Sequence, residues 1–137
     1  MEKSDFSSYR MLVKEVGQIR DQLKILEASL YSPKGQRFTS TPRVPSGTGS
    51  TMEGAVERHM KLVRHYAEDL ANKEAKQLAI EQAINSLEDS AERVVMRERY
   101  INGRGWSAIC RELQKMGYSE RQVYRLHGFA LLKLKEV

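Results

Sequence analysis

Apolar residues recur at helical spacing along most of the chain. Leu12, Val16, Ile19, Leu23, Leu26 and Leu30 alternate steps of four and three, the a/d seam of a coiled coil, and predict a helix over 9–31. Gly17 weakens it. About three heptads are marginal for a lone helix in water, so this one needs a partner. A second seam of Val56, His59, Val63, Tyr66, Leu70, Ile80, Ile84, Leu87, Ala91 and Val94 predicts one long, proline-free helix over roughly 52–100. Lys73 and Gln77 interrupt its middle, either as polar positions that set register or as a bend. Between the two helices, 32–51 holds all three prolines, with Gly35, Gly47 and Gly49, and predicts a linker; Lys34, Arg37 and Arg43 make it basic. At about 1.5 Å per residue the second helix would run ~70 Å and the first ~33 Å. A hairpin of the two would leave about half of the longer seam uncovered, and such a stripe predicts a second copy of the chain, most simply a homodimer.

The pattern changes after Tyr100. Ile101-Asn102-Gly103-Arg104-Gly105 carries a turn signature. Trp106, Ile109 and Leu113 mark one face of a short helix over 106–116, which Gly117-Tyr118 breaks. Ser119, with Gln122 three residues on, forms a capping-box pattern. Val123, Leu126, Ala130 and Leu134, with Leu131 alongside, give the inner face of a final helix over 119–135; Lys133 and Lys135 suit its C-terminus. A short helix, a turn and a capped basic helix make a helix-turn-helix plan. Arg121, Gln122, Tyr124, Arg125 and Gly128 lie on the outward face of the last helix. Arginine suits guanine and glutamine suits adenine in the major groove. Tyr124 could contact a thymine methyl or a phosphate. Ser119 and its neighbouring N–H groups suit a phosphate at a helix start, and Arg104 and Arg111 suit backbone phosphates. A purely structural helix pair has the same spacing.

Charge sharpens the division. Residues 1–51 carry 8 Lys/Arg against 5 Asp/Glu, residues 52–95 carry 6 against 9, and residues 96–137 carry 9 against 4. The net +5 of the chain thus equals that of its last segment, as expected of a polyanion-binding end. The reading is an all-α chain in four parts: an N-terminal amphipathic helix (1–31), a flexible linker (32–51), a long oligomerisation helix (52–95) and a helix-turn-helix unit (96–137).

Gly105-Trp106-Ser107-Ala108-Ile109-Cys110-Arg111-Glu112-Leu113, Tyr118-Ser119-Glu120-Arg121-Gln122-Val123-Tyr124-Arg125-Leu126 and Ala130-Leu131-Leu132-Lys133-Leu134 resemble region 4 of sigma-70-type factors. The likeness is closer to the sigma-like phage regulators of late transcription of the ArpU/RinA type, and extends loosely to Ser32-Pro33-Lys34-Gly35-Gln36-Arg37-Phe38. The resemblance implies a promoter-binding protein in which Ser119, Glu120, Arg121, Gln122 and Arg125 fall on DNA-reading positions. Trp106, Ile109, Leu113, Val123, Leu126 and Ala130 fall on core positions. It also implies RNA polymerase as a partner. Five residues separate Leu113 from Ser119, more than in sigma region 4, so either the short helix runs on by a turn or the turn is wider. Nothing resembles sigma region 2.

Other chemistry has little behind it. His59 and His65 lack the i, i+4 spacing of a helical metal pair, and His127 stands alone, either touching phosphate or packing. Glu88, Asp89 and Glu92 read as a solvated acidic face. The lone Cys110 can form no internal disulfide and reads as a small buried residue. No phosphate-binding glycine loop or nucleophile elbow appears, so neither an enzyme nor a cofactor is expected. No run of about 18 apolar residues supports a membrane span, and the polar start lacks an export signal, which places the expected protein in the cytoplasm of a bacterial host. The expected function is a double-stranded-DNA-binding transcriptional regulator, an activator of phage or prophage late genes. The alternatives are the DNA-recognition subunit of a phage packaging terminase, and a helical adaptor that binds RNA polymerase without touching DNA.

Overall fold

The computed structural model describes residues 1–31 and 52–137. The expected linker, its basic residues and the side chain of Leu30 lie outside the described residues. Those described form six α-helices and a π-helical turn, and no strand. The helices are α1 (Lys3–Ser7), α2 (Tyr9–Tyr31), α3 (Met52–Asn85), α4 (Ser90–Met96), α5 (Trp106–Gln114) and α6 (Glu120–Leu134); the π turn, Arg97–Ile101, continues directly from α4. No described helix is long and apolar enough to cross a membrane.

The first seam lies on α2 as expected, with Val16 and Ile19 buried and Leu12, Leu23 and Leu26 half-buried. The single long helix expected over 52–100 does not form. The chain leaves helical geometry after Asn85 and starts again at Ser90. Asp89 is the physical cause on the restarting side: it caps α4 by accepting a hydrogen bond from the Ala91 N–H at 2.9 Å. Arg93 secures the break by donating to the Leu87 and Glu88 carbonyls just before α4.

This break changes what the second seam does. Ile80, Ile84, Leu87 and Ala91 are buried within the chain's own fold rather than left for another copy. Past the break the buried register moves by one residue: Val95 is fully buried and Val94 is exposed.

The described residues group into two compact units, residues 1–14 with 75–137, and residues 15–74. In the second of these, ion pairs join Glu15 to Lys73 and Arg20 to Glu74, so the interrupting Lys73 has a charge partner on α2. Met52, Val56, Met60 and Leu62 stay exposed there.

The first unit has two apolar clusters. One gathers Phe6 and Tyr9 with Ile80, Ala83, Ile84 and Leu87, and with Met96, Tyr100, Ala130 and Leu134. Phe6, fully buried, comes from the short helix α1, which lacks a periodic signature of its own. The other cluster is Val95, Ile109, Cys110, Leu113 and Val123, with Trp106, Tyr118 and Leu126 packed at its edge. Together they fix α6 against α4 and α5.

Candidate nucleic-acid interface

Local hydrogen bonding sets both ends of the turn before α6. At its far end, Ser119 Oγ accepts from the Gln122 N–H at 3.2 Å, and Gln122 Oε1 accepts from the Ser119 N–H at 2.7 Å, the reciprocal box expected from the sequence. At its near end, α5 stops at Gln114 and the turn is the wider of the two alternatives. Tyr118 N–H donates to the Leu113 carbonyl and Gly117 N–H to that of Gln114, both at 3.0 Å. This pair of bonds needs a left-handed residue, and Gly117 supplies it at φ +93°. Tyr118 then packs against the cluster that contains Leu113, so the extra length of the turn is closed by apolar contact.

The outer side of α6 is open. Arg121 and Arg125 are exposed and line one concavity of ≈600 Å³ with Glu120 and Tyr124. Arg111, also exposed, lines a second of ≈300 Å³ with Trp106, Ser107 and Gln114, and Glu120 and Tyr124 border both. Arg111, Arg121 and Arg125 make no ion pair or hydrogen bond among the described residues, so three guanidiniums keep all their donors for something else. Arg104 stands apart: its Nε lies 3.0 Å from Glu98 Oε2, and it lines neither concavity. Gln122 is exposed, but the box holds its amide oxygen on the helix start.

Behind this surface lies an aromatic stack that spacing alone did not assemble. Tyr124 leans on Trp106 with ring centroids 5.0 Å apart. The Arg99 guanidinium covers Trp106 at 4.9 Å, and His127 meets the Trp106 ring edge-on at 4.7 Å. His127 Nε2 is 2.7 Å from the Tyr100 hydroxyl. The π turn brings Arg99 and Tyr100 to this stack from adjacent positions. Burial, with the Lys3 and Arg99 charges nearby, lowers the His127 pKa to about 4, and burial raises that of Tyr100. At neutral pH the tyrosine therefore keeps its proton and the imidazole is uncharged, so the hydrogen bond joins two neutral groups. His127 packs and does not face outward.

One further group differs from the sequence expectation. Glu92 is not on a solvated face: its side chain is 3% exposed and accepts two bonds from Lys133 Nζ, at 2.7 and 2.9 Å. Glu88 and Asp89 are exposed as expected, and Asp89 also caps α4. Cys110 is buried; burial and the Glu120 carboxylate push its thiol pKa up, the opposite of a reactive thiol. No group of three His, Cys, Asp or Glu among the described residues is placed to hold a metal ion.

Neighbours on one helix (Arg121, Tyr124, Arg125) were legible as a common face, and the structure adds Arg111 from α5 beside them. Trp106 was legible only as an apolar position, because its contacts to Arg99, Tyr124 and His127 are set by tertiary packing. Comparison with family models, with curated proteins and with solved structures finds no match to this chain.

Proposed function

We propose that the chain is a sequence-specific, double-stranded-DNA-binding transcriptional regulator that presents α6 to the major groove. The observation that carries this reading is the set of unpaired, exposed arginines, Arg121 and Arg125 on the capped helix α6 and Arg111 on the short helix α5 packed against it. Elsewhere in the same unit Arg104 and Lys133 have acidic partners. Arginines left free and clustered on one surface suit an anionic partner, and the bidentate fork suits guanine edges. The sigma region 4 resemblance supports the same face. Two copies acting together fit the exposed apolar residues Met52, Val56 and Met60 on α3.

Selection from a random duplex pool with the purified full chain, followed by gel shift across a salt series, tests this. Arg121→Ala and Arg125→Ala each weaken the selected duplex by about 1–3 kcal/mol. Arg111→Ala weakens all duplexes alike and lowers the salt slope by about one, whereas Arg104→Ala, already paired to Glu98, lowers it less. Undiminished binding after Arg121 and Arg125 are both replaced removes α6 from the mechanism. Binding of RNA polymerase by a chain with no salt-dependent DNA affinity replaces this reading with that of an adaptor.

A further inference from the structure

Tyr124 is the one aromatic side chain lining the concavity that holds Arg121 and Arg125. It is 44% exposed, and its hydroxyl has no hydrogen-bond partner among the described residues. An exposed tyrosine ordinarily samples several rotamers and loses that freedom on contact with a ligand. Here one side of the ring already rests on Trp106. Trp106 is held in turn by Arg99 over its ring and by the edge-on His127. The open side of Tyr124 is thus a supported apolar surface in the same concavity as two free guanidiniums.

The major-groove edges of the four base pairs offer hydrogen-bonding groups almost throughout; the exception is the C5-methyl of thymine. A supported apolar ring sharing a concavity with two arginines matches a thymine methyl near guanine edges. Resting on the DNA-binding reading above, we propose that Tyr124 is a specificity-determining residue that contacts a thymine 5-methyl group, and that Trp106 is its positioning residue.

The test uses the full chain and the duplex selected from the random pool, with each thymine replaced in turn by deoxyuridine, which lacks only the methyl. For the unaltered protein, one such replacement weakens binding about fourfold, the value of one buried methyl-sized group. Tyr124→Ala weakens binding to the thymine duplex and no longer distinguishes the two duplexes. Tyr124→Phe keeps the discrimination, because the ring and not the hydroxyl carries it. Trp106→Leu keeps the helical circular dichroism and the affinity for unselected DNA but loses the discrimination, a readout that a merely structural role would not move. The proposal is overturned if the duplex is bound in an Arg121-dependent way and no deoxyuridine position matters. It is equally overturned if Tyr124→Ala retains the full methyl effect, or if Tyr124→Phe binds as poorly as Tyr124→Ala, which would make the contact a hydroxyl one. Absence of any salt-dependent duplex binding overturns the DNA reading, and this inference with it.

Discussion

Acid should weaken the unit that contains α6 through one imidazole. His127 is buried against Trp106 and Tyr100, and its pKa is about 4 in the fold against an ordinary 6.5. The unfolded chain therefore binds a proton through this pH window that the folded chain refuses. By linkage, stability rises with pH wherever the unfolded state holds more protons. The His127 contribution is thus intact above about pH 6.5 and falls away between about 6.5 and 4. A depression of about 2.5 units corresponds to about 3 kcal/mol. That is a large share of the 5–15 kcal/mol that typically separates folded from unfolded domains. His127→Gln isolates the effect: it does not titrate, and its amide oxygen can still accept from the Tyr100 hydroxyl. Urea unfolding followed by emission of Trp106, the only tryptophan, reads the unit directly at a series of pH values. Carboxylates titrate in both proteins, so the difference between the two curves carries the His127 part. It should be flat above pH 7 and should close by about 3 kcal/mol by pH 4. Parallel curves, or a ring-proton NMR midpoint for His127 near 6.5, would refute the reasoning.

Two further outcomes concern the support of α6. Lys133→Met leaves the buried Glu92 carboxylate without its cation and should cost about 3 kcal/mol in chemical unfolding, while Glu92→Met combined with Lys133→Met should recover most of it; equal losses in the single and double variants would show that the charge is not the cause. Gly117→Ala forces a side chain into the left-handed region at φ +93° and should cost about 1–2 kcal/mol, read as a fall in melting temperature by calorimetry. An unchanged melting temperature would mean that the turn can close another way.

How much of this was legible depended on how local the deciding interaction is. Ser119 and Gln122 sit three residues apart and satisfy each other, so the start of α6 could be placed from sequence alone. Asp89 and Glu92 carry the same spacing, and the start of α4 was equally marked. It was hidden because Leu87 and Ala91 continue the heptad rhythm across the break. Both are buried, as the rhythm predicts, but from a different backbone geometry, and the register slip shows only at Val94 and Val95. Apolar spacing records which residues are inside; it does not record whether the helix between them is continuous. The sequence left about half of the long seam without cover, whereas Ile80, Ile84 and Leu87 share one cluster with Phe6, Tyr9 and Met96.

Charge behaves the same way on the scale of the fold. The excess of Lys and Arg after residue 96 is plain in the sequence, but not which of these cations are free. Arg104 is paired by Glu98, six residues back across the Asn102-Gly103 turn. Lys133 is paired by Glu92, which lies 41 residues away and is buried, against the usual preference of a carboxylate for water. Neither partner follows from a helical spacing. Once both pairs form, Arg111, Arg121 and Arg125 keep no acidic partner among the described residues, and the same holds for Lys115 and Lys135. The three arginines with free donors lie on the exposed surface of α5 and α6. There an approaching polyanion displaces only solvent and counterions from these guanidiniums, with no internal salt bridge to break, and its affinity should depend steeply on salt.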